Sequence, residues 1–306
     1  MSKKTALVFP GQGSQSVGML NNFRGNYNNI IINLFSEASD LLNYDLLKII
    51  TDGPADTLNQ TEITQPALLT ASIALWEILK KHSNISPVVL SGHSLGEYSA
   101  LVCSGVLRFK DAVMCVSNRG KYMQEAVPAG QGAMAAIIGL SLEVVDEICR
   151  KSSEGEVVSA ANINSPGQIV IAGDVKAVER AMVAAKHAGA KLMKKLDVSV
   201  PSHCALMNGA ADKLKLLLEK IAFHKPHIPV IQNASAKSTD DIAEIKQSLF
   251  QQLSYPVRWV ECVETLARDF EPEVIIECGP GKVLAGLNKR IVGIPTISIE
   301  EALLHV

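Results

Sequence analysis

Residues 88–106 read VVLSGHSLGEYSALVCSGV. Val88, Val89 and Leu90 make a short apolar run that suits a buried strand, and from Leu95 onward Ala100, Leu101, Val102, Val106 and Leu107 recur at helical spacing. Between them, Gly92-His93-Ser94-Leu95-Gly96 matches G-x-S-x-G, a sharp strand-to-helix turn that presents a serine, with glycines two residues to either side so that neighbouring backbones can close in. Strand, turn and helix in that order point to an α/β chain with Ser94 as a nucleophile.

Upstream, Thr5 to Phe9 reads as a first buried strand running into Pro10-Gly11-Gln12-Gly13-Ser14-Gln15. A dinucleotide fingerprint fails there, because Ser16 stands where the third glycine belongs. Glycines after a first strand also let backbone N–H groups converge on a charge. Helical patterns cover Ile30 to Leu42 and Ile63 to Lys81, where Leu68, Ala71, Leu75 and Leu79 share one stripe. Past the serine turn, Asp111 to Ala126 is a helix on which Ala112, Val116, Arg119, Met123 and Ala126 share one face. Arg119 thus sits on the stripe meant for the core, where a guanidinium is costly unless an anion meets it. An internal salt bridge or a side chain snorkelling to water would also account for it.

From Ala133 the pattern changes. Strand-like Ala133 to Ile138, helical Leu142 to Ser152, strand-like Val157 to Asn162 and Gln168 to Ala172, helical Val175 to Ala188 and strand-like Lys191 to Val200 give β-α-β-β-α-β, a ferredoxin-like order. A small domain inserted in a larger one is expected: residues 129–198 within a core of 1–128 and 199–306. The larger pattern then resumes with a long helix (Ala205 to Phe223), a strand (Pro229 to Gln232), helices (Asp241 to Leu253, Val260 to Asp269), a strand (Val274 to Glu277) and a helix (Lys282 to Ile291). Cys278-Gly279-Pro280-Gly281-Lys282 invites a phosphate-loop reading but lacks its first glycine, and Val283 replaces the Ser/Thr.

The 306 residues carry 29 Lys+Arg against 31 Asp+Glu, a net charge of -2, which argues against nucleic acid or an anionic membrane as the main partner. Cysteines 103, 115, 149, 204, 262 and 278 form no C-x-x-C pair and no metal-ligand spacing with histidine, so no metal site is expected and the thiols read as reduced and cytosolic. The apolar run after Lys3 and Lys4 ends at Pro10, too short for a signal peptide or a membrane span. A cytoplasmic, monomeric protein is expected.

A serine nucleophile needs a base. His82 and His187 lie in polar helical stretches, His224 and His227 beside prolines, and His305 at the terminus. His93 adjoins Ser94, but in such a turn its side chain is expected to point away from the reacting face. His203 follows a strand and the turn residues Pro201 and Ser202, where catalytic groups gather, and is the expected base. By order along the chain, Asp111, Asp146, Asp174 and Asp197 all qualify as a third member.

Together Phe9-Pro10-Gly11-Gln12-Gly13-Ser14-Gln15, Thr64-Gln65-Pro66-Ala67, Gly92-His93-Ser94-Leu95-Gly96-Glu97, Arg119-Gly120-x-x-Met123, Asn162-x-Asn164-Ser165-Pro166 and Pro201-Ser202-His203 resemble the malonyl-CoA:acyl carrier protein transacylases of bacterial fatty-acid synthesis. The resemblance implies an α/β-hydrolase-like core with a parallel sheet and a ferredoxin-like insert. It makes Ser94 the acyl acceptor, His203 its base, and the backbone N–H groups of Gln12 and Leu95 the oxyanion hole. Arg119 would grip the malonyl carboxylate. The Gln252 carbonyl, rather than an aspartate, would orient the histidine. Met123, His93, Asn162, Asn164 and Ser202 are carried over as pocket residues. Malonyl-CoA and acyl carrier protein are then the partners, with no resident cofactor. Lys191, Lys194, Lys195, Lys289 and Arg290 are candidate contacts for an acidic carrier. A serine hydrolase sharing the turn, and a docking module without catalysis, are the rivals.

Overall fold

The structure is a computed structural model that describes residues 3–128, 130–198 and 200–304. Among them the strands are β1 (Thr5–Phe9), β2 (Pro87–Gly92), β3 (Gly132–Ile138), β4 (Val158–Ser165), β5 (Gln168–Asp174), β6 (Leu192–Lys195), β7 (Val230–Ile231), β8 (Val274–Glu277) and β9 (Thr296–Ser298). They form two separate sheets. One is parallel in the order β7-β2-β1-β8-β9, and the other is antiparallel in the order β4-β5-β3-β6. β1 is buried at every position, as expected for the middle of a parallel sheet covered on both faces. With helices Leu142–Ser152 and Val175–His187 between its strands, the antiparallel sheet has the expected βαββαβ order.

Helix Thr61–His82 departs from the single stripe expected of it, being buried without interruption from Ile63 to Trp76. No charged residue lies in that stretch, so the helix has no face that requires water and runs through the core. Helix Phe109–Ala126 packs its Ala112, Val116, Arg119 and Met123 face inward as its spacing predicts.

Three expected elements are shorter. The strand from Lys191 stops at Lys195, after which Leu196 donates one bond to Met134 and the chain leaves the sheet to line a pocket. The helix from Ala205 begins as a 3-10 turn, Ala205–Met207, and is α-helical only over Asn208–Lys220, because Ile221 turns extended and His224 is bonded to the Val106 carbonyl. The last expected helix covers Val283–Asn288. Here the Glu277 carboxylate accepts from the N–H groups of Leu284 and Ala285 at 3.0 and 2.8 Å, so the glycine loop before it holds a protein carboxylate. Helices Leu46–Asp52, Ala55–Leu58 and Ile299–Leu303 and strand β9 were not anticipated, although Ser298 and Glu301 form a capping box legible as S-x-x-E. The expected insert boundary at Ala129 and Ser199, and His305, fall outside the described residues.

β1 and β2 are neighbours, so the turn after Phe9 and the turn after Gly92 open at the same carboxyl edge of the sheet, where ligands of open α/β sheets bind. There the backbones nearly touch. A Cβ on Gly92 would lie 2.0 Å from Gly96 backbone atoms, and one on Gly96 would lie 2.0 Å from the Phe9 carbonyl oxygen. Gly96→Ala should therefore destabilise the protein by about 2 kcal/mol or more, since the clash is with backbone that cannot rotate away. A lowered Tm checks it, and unchanged thermal unfolding would contradict the contact.

Candidate active site

Gly92 ends β2 and helix Gly96–Cys103 starts four residues later, so the chain reverses within His93-Ser94-Leu95. Ser94 takes φ 51°, left-handed and unusual for a residue with a side chain. His203 does the same at φ 63°, in the turn after Pro201.

These two turns meet. Ser94 Oγ lies 2.8 Å from His203 Nε2, and His203 Nδ1 lies 2.6 Å from the Gln252 carbonyl oxygen. A carbonyl only accepts, so Nδ1 carries the proton and Nε2 offers a lone pair to the serine hydroxyl. None of Asp111, Asp146, Asp174 and Asp197 takes the carbonyl's place; Asp174 instead accepts from the Val157 N–H. His203 is buried, and its pKa is lowered to about 3, first by burial and then by the Arg119 charge, against the pull of the Gln252 bond. It is therefore neutral at neutral pH, with the Nε2 lone pair free to accept the serine proton.

Arg119 is fully buried and forms no ion pair among the described residues. Its Nη1 donates to Gln65 Oε1 at 2.8 Å, and its Nη2 to Gln252 Oε1 at 3.0 Å and Ser94 Oγ at 3.3 Å. Nε has no hydrogen-bond partner among the described residues, and the guanidinium lies 5.5 Å from the Tyr98 ring. Neither the salt-bridge nor the snorkelling reading of Arg119 holds: the charge is held by neutral amides beside the serine.

Ser94 and His203 line a cavity of about 420 Å³ with Gln12, His93, Asn162, Ser202 and residues 196–198. The N–H groups of Gln12 and Leu95 donate to no acceptor among the described residues. His93 does not turn away from this cavity as expected. Its Nε2 lies 2.8 Å from Asn164 Oδ1, so the antiparallel sheet reaches across and holds the ring toward the pocket. Burial lowers its pKa, so the neutral Nε2–H donates to the amide. Asn164 thus stands behind His93, while Asn162 lines the pocket itself. Ser202 Oγ donates to Met134 Sδ at 3.4 Å. Met123 also stands a layer back, its Sδ accepting from Gln65 Nε2 at 3.4 Å. Of the carrier-contact candidates, Lys195 is paired with Glu179 and Arg290 donates to Gln168, while Lys191, Lys194 and Lys289 are exposed.

Four residues of the site received no role from sequence. Gln65 and Glu97 lay within quoted motifs, yet nothing in their spacing predicts that they meet Arg119 and Gln252. Tyr98 drew no assignment, and Asn233, in an unmarked loop, left no signal. No cluster of His, Cys, Asp and Glu among the described residues is fit to hold a metal ion.

A serine hydroxyl bonded to a neutral histidine at the wall of one cavity, with a buried arginine 3.3 Å behind that hydroxyl, is the constellation of a serine acyltransferase, and the family model described as acyl transferase domain matches residues 6–292. The malonyl CoA-acyl carrier protein transacylase of Salmonella typhimurium is 55% identical over 96% of this chain and 94% of its own. The crystal structure of an acyl carrier protein S-malonyltransferase from Vibrio cholerae superposes with a TM-score of 0.93 at 53% identity, covering 96% of each chain. A malonyl-transacylase solved in complex with its type II PKS acyl-carrier protein superposes with a TM-score of 0.96 at 48% identity, over 99% of this chain and 100% of that one. The chain belongs to the acyl transferase family, on the branch of the malonyl CoA-acyl carrier protein transacylases.

Attack by Ser94 requires neutral His203, so the acid limb of the Ser94 reaction should lie well below the ordinary histidine value of 6.5. Arg119→Gln should move that limb upward, because removing a neighbouring cation makes it easier to protonate the ring. Rates of Ser94 labelling by a fluorophosphonate across about pH 4 to 8 test both statements. A limb at the ordinary value in the parent would contradict the first, and an unmoved limb in the variant the second.

Proposed function

We propose that this protein moves the malonyl group of malonyl-CoA to the phosphopantetheine thiol of acyl carrier protein through an ester on Ser94. The observation that carries the reading is Arg119: a buried guanidinium without an ion pair among the described residues, 3.3 Å from the serine hydroxyl. A hydrolase of neutral esters has no use for it. A carboxylate one short acyl group away from the reacting carbonyl does, since a charge-assisted, two-pronged bond fixes that acyl group in place. The relatives' substrates agree.

In this reading Ser94 Oγ attacks the thioester carbonyl while its proton passes to His203 Nε2. The oxyanion is met by the N–H groups of Gln12 and Leu95, each worth about 3 kcal/mol in the transition state. His203, held through Nδ1 by the Gln252 carbonyl, returns the proton to the departing CoA thiolate. The carrier thiol then gives its proton to His203 and attacks the ester, and His203 returns that proton to Ser94 Oγ as the serine leaves. His93, Asn162 and Ser202 shape the cavity around the acyl group, with Asn164 behind His93 and Met123 behind Gln65. Every step uses side chains and backbone of this chain, and none calls for a metal or a resident cofactor. Residues 129–198 are read as an inserted unit that closes the cavity over a core of 1–128 and 199–306. The site of action is read as the cytoplasm; no helix among the described residues is long and apolar enough to cross a membrane.

Arg119→Ala should lose about 2 to 5 kcal/mol of malonyl transfer and much less of acetyl transfer. Transfer rates from the two CoA thioesters decide it, an equal fall in both marking Arg119 as structural.

Incubated with malonyl-CoA alone, the protein should accumulate a malonyl adduct on Ser94, visible by mass spectrometry and absent in Ser94→Ala. Carrier protein or a pantetheine thiol should discharge it rapidly. Free malonate released without any thiol, as fast as transfer, would make the protein an esterase.

A further inference from the structure

The hydrogen bonds behind Ser94 close into a ring. Asn233, fully buried just beyond β7, accepts the Ser94 N–H on Oδ1 at 2.7 Å and donates from Nδ2 to the Gly92 carbonyl at 2.7 Å. One amide therefore grips the turn on both sides of His93. The Asn233 backbone N–H donates to Glu97 Oε2 at 2.9 Å, and the same oxygen accepts from Gln252 Nε2 at 2.7 Å. Gln252 Nε2 also reaches the Ser94 carbonyl at 3.0 Å, which closes the ring. From Gln252 two further bonds leave it, one accepted by Oε1 from Arg119 and one accepted by the carbonyl from His203.

Glu97 is a costly residue for this place. It is 0% exposed, it pairs with no cation among the described residues, and its Oε1 makes no hydrogen bond. Burial lifts its pKa to about 7, against the pull of Asn233, Gln252 and Arg119. Apolar side chains replace buried charges at little loss of stability, so packing does not explain a carboxyl here. Its two bonds run instead to the residues that hold Ser94, His203 and Arg119. Both Ser94 and His203 sit in left-handed backbone, a conformation that persists only where the surroundings over-determine it.

We propose that Glu97 and Asn233 are positioning residues for acyl transfer: through one carboxylate oxygen they lock the Ser94 turn to Gln252, so that the nucleophile and the carbonyl that orients its base are set by a single ring. Neither touches the acyl group. Their loss acts on the serine–histidine geometry and leaves the substrate's own contacts in place.

The inference rests on the Ser94 and His203 roles given above, and the two fail separately. Malonyl transfer surviving in Ser94→Ala or His203→Ala would remove those roles; with both inactive, the ring is tested by Glu97→Ala, Glu97→Gln and Asn233→Ala in the full chain. Glu97→Ala and Asn233→Ala, folded by circular dichroism, should lower kcat by about 100-fold, the effect of a small misplacement of reacting groups. KM for malonyl-CoA should stay within about threefold, because binding common to ground and transition state is untouched. Glu97→Gln keeps an acceptor oxygen and should recover about tenfold or more of the lost rate. Should Glu97→Ala not fold, Asn233→Ala and the comparison of Glu97→Gln with the parent carry the same test. A kcat within about threefold of the parent, a change confined to KM, a folded Glu97→Gln as slow as Glu97→Ala, or failure of all three variants to fold would each overturn the proposal.

Discussion

Three stretches of backbone converge where Gly92, Gly96 and the Phe9 carbonyl leave no room for a Cβ. That steric limit is what the rest of the molecule depends on. It permits β2 to pass into a helix within three residues, forces Ser94 into left-handed backbone, and sets the turn after β1 beside the reacting hydroxyl. The parallel sheet supplies the rigidity that the turn lacks. Its central strands are buried on both faces, so the turn cannot relax by moving them.

The second organising fact is a charge in the wrong place. Arg119 lies on an inward helix face among Gln65, Gln252 and Tyr98, with no carboxylate among the described residues paired to it. Neutral amides satisfy some of its donors without neutralising it, so the charge remains directly behind the Ser94 hydroxyl that lines the cavity. Burial first, and then the same charge, keep His203 neutral, which couples binding of a carboxylate to the basicity of the histidine. A carboxylate arriving at Arg119 would offset the cation and make His203 a stronger base when the substrate is present.

The antiparallel sheet contributes more than a cover. Asn162 lines the cavity and Asn164 turns His93 into it, while Leu196 to Val198 form its wall after the strand has left the sheet. Residues far apart in the chain thus act in one space, and Glu97, Asn233 and Gln252 bind the nucleophile and base into a single frame behind it.

Local pattern alone made much of this legible. The apolar runs of β1, β2 and β8, the βαββαβ alternation and the inward face carrying Arg119 all follow from periodicity, which depends on neighbours within a few residues. The G-x-S-x-G turn was readable because its steric demand falls on glycines fixed in number and spacing. The short helices after Leu46, the early end of β6 and the burial of Ile63 to Trp76 on all sides were not legible, since each depends on what packs there. The amino-acid sequence by itself determined which residues were able to react: a serine in a strained turn, a histidine after a strand, an arginine on an apolar face. Spacing left the third partner open among four aspartates and the family resemblance pointed to the Gln252 carbonyl; only the tertiary structure decided that this carbonyl meets His203, that His93 faces the cavity, and that Asn233 and Glu97 hold the turn. A carbonyl carries no residue identity, and a hydrogen bond between residues some 140 apart, as in Ser94 to Asn233, leaves no mark in local spacing.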